Sequence, residues 1–277
     1  KKASVLNVTS SDIRPLALIS CVVKLLNSIL KWRIELHLAE QEILPSYMHG
    51  FRRRHGTDHN LVTMYNDTTC GRLQGTSTLA LFLDVSGAFN RVNIGTLVDI
   101  MFSMSFPEYI IRWIHSFFTW KTYFDGSNTI ICNNGLDQGS VLSPVLFNIY
   151  TARLNQNIQF TTLSTYADDI ALYTTGSKLA DNLQNLQTDF NTLINNLSAL
   201  SLEINPRKSS LVNFSSRQNH IPLKIRANGD EICQSKTVKY LGLQLDQLNN
   251  GKAHTSYIKQ RVQKDLQALT FLKGSSW

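Results

Sequence analysis

The sequence predicts an α+β fold, and three observations carry that prediction. Apolar residues recur at helical spacing over long stretches such as Leu16 to Leu38 and Lys178 to Leu200. Between them lie short runs rich in Leu, Ile, Tyr and Thr, as in Leu79 to Asp84 and Leu163 to Thr174, bounded by turn residues. The chain has 277 residues and is 43% hydrophobic, enough for a substantial core in one large domain or two small ones.

Taken in order, Leu16 to Leu38 reads as a helix, with Pro15 where a helix begins. Asp58 to Leu73 is a second helix, ended by Gln74-Gly75-Thr76-Ser77. The apolar run Leu79 to Leu83 has strand length and leaves no room for a charge inside a buried sheet, so Asp84 belongs at the strand's end. Ser86 and Gly87 turn the chain before helices at Ile94 to Met104 and Glu108 to Phe118, with Pro107 at the start of the latter. Thr122 to Cys132 reads as a hairpin turning at Asp125-Gly126. Gln138, Gly139 and Ser140 form a turn before a helical run Val141 to Asn155, with Ser140 as its N-cap. Leu163 to Ala167 and Ile170 to Thr174 read as two strands of a tight hairpin tipped by Asp168 and Asp169. The stripe Leu179, Leu183, Leu186, Phe190, Leu193 and Leu197 predicts a long amphipathic helix on one face of the sheet, its leucines serving core packing. Short strands near Leu211 to Phe214 and Val238 to Leu245 precede a basic helix, His254 to Leu272, with Ile258, Val262, Leu266, Leu269 and Leu272 on one side. No internal repeat, low-complexity tract or long linker interrupts the pattern.

The net charge is +7, unevenly placed. Residues 1–200 carry 15 basic and 15 acidic side chains, whereas residues 201–277 carry 12 and 5. A surplus confined to the last quarter suits contact with a polyanion there, a merely solubilising tail being the alternative. Cys21, Cys70, Cys132 and Cys233 are isolated, and His55 and His59, four apart, have no third ligand nearby in sequence, so neither zinc nor a disulfide framework is indicated. With no secretory h-region and no apolar stretch of about 18 residues, the expectation is an intracellular, reduced protein without a membrane partner.

The chemistry concentrates on three aspartates. An Asp-Asp pair by itself is an ordinary solvated turn. Asp84 changes that reading, because a strand ending in Asp84 beside a hairpin tipped by Asp168 and Asp169 gathers three carboxylates at one sheet edge. Hard oxygen ligands in that number suit Mg²⁺. A pair of such ions is the usual device for in-line displacement at phosphorus, so the residues point to phosphoryl transfer.

The order of motifs resembles the reverse transcriptases of non-LTR (LINE-type, jockey-like) retrotransposons. Phe82-Leu83-Asp84-Val85-Ser86-Gly87-Ala88-Phe89 is similar to their first catalytic motif and Tyr166-Ala167-Asp168-Asp169 to their YxDD box, with Gly135 to Pro144 matching the motif between. Asp12 to Ile19 with Lys24, and His49-Gly50-Phe51-Arg52 with Gly56-Thr57, match upstream, and Leu202 to Ser209 and Val238 to Gly242 match downstream. The resemblance runs from about Ser11 to about Leu272.

It implies a right-hand polymerase fold, with fingers and palm over residues 1–250 and the start of a truncated thumb over 251–277. It implies an RNA-directed DNA polymerase working on an RNA template, a DNA primer and dNTP. Asp84, Asp168 and Asp169 are then the catalytic and metal-binding residues for two Mg²⁺ ions, with Mn²⁺ as a substitute. Lys208 corresponds to the lysine proposed to protonate the leaving pyrophosphate. Phe89 packs beneath the incoming sugar, where an aromatic ring leaves no room for a 2′-OH, and Gln138 and Gly139 approach the nucleotide. Arg14 and Arg52 match basic residues that reach the triphosphate, although Arg52-Arg53-Arg54 equally suits a solvated basic run.

Two positions depart from the pattern. Asp137 stands where Pro is usual, adding a negative charge and loosening a turn, and Asn90 stands where Asp is usual. The resemblance also implies a shortened copy, with the endonuclease domain elsewhere in a full-length element that works in nucleus and cytoplasm as a ribonucleoprotein. The alternative is an inactive fragment that binds nucleic acid without polymerising. An unrelated metal-dependent nuclease would share the aspartates but leaves Phe89, Gln138-Gly139 and Lys208 unexplained.

Overall fold

The structure, a computed structural model, describes residues 18–119, 121–124, 129–132, 134–215, 223–227 and 229–272, with backbone alone for 122–124, 129–132 and 268–272. The elements run α1 (Cys21–Glu40), α2 (Thr57–Leu73), β1 (Ser77–Asp84), a 3₁₀ turn (Ala88–Arg91), α3 (Ile94–Ser103), α4 (Glu108–Thr119), β2 (Lys121–Phe124) and β3 (Thr129–Cys132). They continue with α5 (Ser143–Thr151), β4 (Thr162–Tyr166), β5 (Asp169–Gly176), α6 (Leu179–Ala199) and β6 (Ser210–Phe214). Last come β7 (Lys224–Ala227), β8 (Asp230–Cys233), β9 (Thr237–Tyr240), β10 (Leu243–Asp246) and α7 (Lys252–Leu272). The chain divides into two compact units, one within Lys1–Ser46, Gly87–Leu154 and Ser198–Leu202, the other within Tyr47–Ser86, Asn155–Leu197 and Glu203–Trp277.

The second unit is built on an antiparallel sheet of order β4-β5-β1-β6. β1 is central, and its residues 78–83 are buried on both faces, as an uninterrupted apolar run requires. On one face Ala80, Phe82, Ala171, Tyr173, Val212 and Phe214 cluster with Met64 of α2 and with Val238 and Tyr240 of β9. The Phe82 ring lies 5.0 Å from Tyr240. Full burial of such a side chain contributes about 1.5–3 kcal/mol. The predicted long helix is present as α6, with Leu186, Phe190, Leu193 and Leu197 buried, and Asn182 fastens its first turn to the carbonyls of Ser77 and Gly176. Asp189 on the same helix is 1% exposed and receives hydrogen bonds from the backbone N–H of Gln159 and Phe160 and from the Thr161 hydroxyl.

Two local readings of the sequence need correction here. Val238 to Leu245 is not one strand but the hairpin β9–β10, turning at Leu241 (φ 46°) and Gly242 (φ 87°), the positive-φ pair of a tight two-residue turn. The β7–β8 hairpin was not anticipated, its strands having four residues each.

In the first unit α1 buries Asn27, Leu30, Ile34 and Leu38. Within the described residues it begins at Cys21, where Ser20 accepts a hydrogen bond from the Val23 N–H; Pro15, where the sequence places a helix start, lies outside the described residues. The Trp113 indole donates to Asn27 Oδ1 at 3.0 Å, and His37 Nε2 lies 3.0 Å from the Met104 carbonyl. α5 is shorter than the run from Val141 to Asn155 and is buried at every residue except the half-buried Pro144. Its start is set by Pro144 in the first turn, while Ser140 is no N-cap and accepts instead from the Leu142 N–H. β2 and β3 pair as predicted, with the Asp125-Gly126 turn outside the described residues.

Candidate active site

Within the second unit, Asp84 ends β1 and is the direct Cα partner of Asp169, the first residue of β5. Opposed residues of an antiparallel pair share a face, so both carboxylates lie on the side of the sheet that carries Phe82 and Ala171. Tyr166 also pairs with Asp169, leaving Ala167 and Asp168 as a two-residue turn with φ 57° at Ala167. Asp168 and Asp169 are both exposed at the hairpin, and Asp84 is half-buried. Although Asp169 is exposed, partial desolvation of its carboxyl at the sheet end, then the charges of Asp168 and Asp84, push its pKa up to about 6. The three aspartates singled out in the sequence are thus brought into one negative cluster.

Carboxylate oxygens are hard donors, and a cation beside them would offset the part of the Asp169 shift that comes from Asp168 and Asp84, burial being its larger cause. Among the described residues no group of three or more His, Cys, Asp or Glu side chains could hold a metal ion. Mg²⁺ keeps waters and substrate phosphates as ligands, so its binding does not require a full set of side chains from the chain.

The backbone of Asp84 is held on both sides by the turn that carries Lys208. The Asn205 N–H donates to the Asp84 carbonyl at 2.8 Å, and the Asp84 N–H donates to the Ser209 hydroxyl, which in turn donates to the Asn205 carbonyl. Lys208 is exposed on this turn, its N–H bonded to the Asn205 carbonyl at 3.2 Å. Asn205 and Ser209 lie in the matched stretch Leu202 to Ser209, but the sequence alone gives neither a role at Asp84, although Asn-Pro is a turn-initiating signal.

The segment around Arg52 lies against the YADD strand. His49 N–H donates to the Thr165 carbonyl and Thr165 N–H to that of Tyr47. Gly50 is required there, because a Cβ would collide with the backbone nitrogen of Ala167. Phe51 and Tyr166 have ring centroids 6.3 Å apart. Arg52 is half-buried, donates to the Met48 carbonyl at 3.0 Å, and has its pKa lowered by burial. His49, His55 and His59 bring their rings together, with centroids 5.1–6.0 Å apart. Burial, then His55, His59 and Arg52, lower the His49 pKa. Sequence spacing alone paired only two of these histidines.

Within the first unit, Phe89 and the Gln138-Gly139 turn are joined through their backbones. Leu136 N–H donates to the Phe89 carbonyl at 2.7 Å and Gly135 N–H to that of Val92 at 2.8 Å. A Cβ on Gly135 (φ 84°) would stand 2.8 Å from the Asn90 carbonyl oxygen, so only glycine allows this approach. The Phe89 ring stacks on Phe147 at 4.7 Å. Gln138 is half-buried and Gly139 exposed, with φ 92°. The extra negative charge of Asp137 is paired, its carboxylate lying 3.1 Å from the Lys121 ammonium. Arg14 lies outside the described residues.

The chain is similar to several known proteins. It is 25% identical to the RNA-directed DNA polymerase from mobile element jockey of Drosophila melanogaster, over 98% of this chain and 32% of that protein. It is 27% identical to the jockey polymerase of Drosophila funebris, over 94% of this chain and 29% of the relative. It is also 27% identical to the probable RNA-directed DNA polymerase from transposon BS of Drosophila melanogaster, over 94% and 30%. The chain thus spans about a third of the length of these curated relatives.

Among solved structures, apo telomerase from Candida tropicalis truncated from its C-terminal domain matches with a TM-score of 0.57 and 14% identity, over 80% of this chain and 44% of that one. Candida tropicalis telomerase with the TWJ fragment of telomeric RNA matches at 0.58 and 12%, over 83% and 37%. These likenesses show the right-hand polymerase fold. The family pattern described as reverse transcriptase (RNA-dependent DNA polymerase) matches residues 1–245. With that pattern spanning the strand end at Asp84, the Asp168-Asp169 hairpin and the turn at Lys208, the chain belongs to the reverse transcriptase family.

Proposed function

We propose that this chain is the polymerase portion of a non-LTR retrotransposon's RNA-directed DNA polymerase, extending a DNA primer on an RNA template with dNTP. The observation that carries the reading is the pairing of Asp84 with Asp169 at the sheet end beside Asp168, within a reverse transcriptase. In this reading residues 1–250 form fingers and palm, residues 251–277 begin the thumb, and an endonuclease domain belongs to the full-length element.

Asp84, Asp168 and Asp169 would hold two Mg²⁺ ions, with Mn²⁺ able to replace them. Bound there, the ions would supply a lowered pKa for the primer 3′-OH and charge stabilisation for the leaving oxygen. The primer 3′-oxygen forms a bond to the α-phosphorus as the bond to pyrophosphate breaks. Lys208 gives a proton to the departing pyrophosphate. The carboxylate of Asp84 needs a fixed mount for this, and the hydrogen bonds from Asn205 to its carbonyl and from its N–H to Ser209 hold the backbone that carries it. Phe89 blocks a ribose 2′-OH, Gln138 and Gly139 border the nucleotide, and Arg14 and Arg52 supply positive charge for the triphosphate.

Extension of oligo(dT) on poly(rA) tests the reading. The parent should extend in Mg²⁺ or Mn²⁺, and Asp84→Asn and Asp168→Asn should each lose about a thousandfold in rate, the several kcal/mol at stake in metal-assisted displacement. Both variants should still bind the hybrid. A parent that binds the hybrid yet extends no primer would overturn the reading in favour of a binding fragment.

A further inference from the structure

Lys121 opens β2 with an ammonium that is almost enclosed, its side chain 9% exposed. Its three N–H groups have three oxygen acceptors, Asp137 Oδ1 at 3.1 Å and the carbonyls of Asn134 at 3.1 Å and Gly135 at 2.7 Å. It also lies 5.7 Å from the centre of the Phe118 ring. Asp137 is enclosed to the same degree, at 10%. One cation therefore gathers residues 134, 135 and 137 about a single point.

Everything next to that point leads to residues of the proposed nucleotide site. On one side Gly135 and Leu136 donate to the carbonyls of Val92 and Phe89. On the other, the Asp137 carbonyl accepts from the Ser140 N–H at 3.2 Å and the Ser143 hydroxyl at 2.7 Å, closing the turn that contains Gln138 and Gly139. A buried ion pair contributes little net stability against an apolar alternative, but it fixes geometry, and removing one partner strands the other's charge.

We propose that Lys121 and Asp137 are a positioning pair that sets the Gln138-Gly139 turn and the Phe89 backbone for the incoming nucleotide. Neither residue need touch substrate. The pair acts through the loop it organises, so its loss should be felt in nucleotide binding before the rate of the chemical step. The kinetic half of this inference rests on the polymerase reading above, whereas its structural half does not.

The test uses Asp137→Asn, close in shape to the parent, with Lys121→Met, Lys121→Arg and the double variant Lys121→Met/Asp137→Asn. In primer extension each neutral single variant should raise the KM for dNTP about tenfold, with kcat within about threefold, and the double variant should be no worse than the poorer single one, because the pair acts as a unit. Lys121→Arg should recover much of the loss. Amide exchange should quicken at Leu136 and Ser140 in Lys121→Met while α6 stays protected. A lowered Tm with unchanged KM would make the pair merely structural and overturn the proposal. Unchanged amide exchange at Leu136 and Ser140 would overturn it whether or not the parent polymerises, whereas a parent inactive on every template, with exchange altered as expected, would fail the polymerase reading alone.

Discussion

Asp84 and Asp169 stand directly opposite each other across the β1–β5 ladder, two like charges at a position where antiparallel strands bring side chains closest. Such a pair opposes folding in that region. It persists because the strands on either side are buried and because Asn205 and Ser209 grip the backbone of Asp84. The sheet thus holds its carboxylates together against their repulsion, and a bound cation would offset it.

The raised pKa of Asp169 gives this a pH signature. With a pKa of about 6 in the folded chain against 3.8 for the ordinary group, the folded state retains a proton that the unfolded state has released. Stability from this group is therefore present at low pH and lost as pH rises through the window from about 4 to about 6, above which the penalty is constant. Asp169→Asn should match the parent below that window and exceed it in Tm above it, without divalent metal. Mg²⁺ or Mn²⁺ should then raise the Tm of the parent more than that of the variant. A Tm difference that does not change between pH 4 and pH 8 would remove the carboxylate cluster as its cause.

Phe89 makes a second prediction. Its ring stacks on Phe147, which fixes its plane. If that ring excludes the 2′-OH, Phe89→Ala should lower discrimination against ribonucleotides by about 10- to 100-fold, the span expected for a change of shape in an apolar pocket. Primer extension with matched dNTP and rNTP measures the ratio, and equal discrimination by variant and parent would end the steric role.

What the sequence revealed and what it hid follow from how local each cause is. The end of β1 at Asp84 was legible because an apolar run cannot absorb a charge, and the Asp168-Asp169 hairpin because its flanks alternate around turn residues. α6 declared itself through its leucine stripe. The β9–β10 turn was hidden because Leu241, an apolar residue that seldom takes positive φ, gives no sign of one. The false N-cap at Ser140 arose because Pro144 sets the helix start three residues later. The third histidine, His49, stands six residues before His55, outside any regular spacing, and Lys121 lies sixteen residues before its partner Asp137, so only the fold shows that these groups meet.

Asp189 is a case of a polar group whose role the stripe concealed. It sits among buried leucines yet accepts from two backbone N–H groups and the Thr161 hydroxyl just ahead of β4. Asp189→Ala should destabilise the chain by about 2–4 kcal/mol, since it leaves two N–H groups short of an acceptor and opens space in a packed layer. Urea unfolding of parent and variant checks this, and a loss below about 0.5 kcal/mol, the range of ordinary surface changes, would show that water replaces the carboxylate at no cost.

The last prediction concerns α7. Its first turns are docked on the β9–β10 hairpin, where His254 Nδ1 accepts from the Gln244 N–H at 3.3 Å and the Lys239 ammonium lies 5.8 Å from the centre of the Tyr257 ring. Farther along, Lys259, Arg261 and Lys264 are exposed, as are Ile258, Val262 and Leu266; the side chains of Leu269 and Leu272 lie outside the described residues. The basic surplus of residues 201–277 is thus partly displayed on this helix, which suits a hybrid duplex gripped through its phosphates and not its base edges. Replacing Lys259, Arg261 and Lys264 together by Gln should weaken binding about equally for all sequences. It should also flatten the slope of log K against log salt by up to about 2–3, near 0.9 for each phosphate that is no longer neutralised. Titrations of an RNA–DNA hybrid at several salt concentrations measure both quantities. Should affinity and slope match the parent's, these charges only solubilise the chain, and the reading of an inactive fragment gains ground.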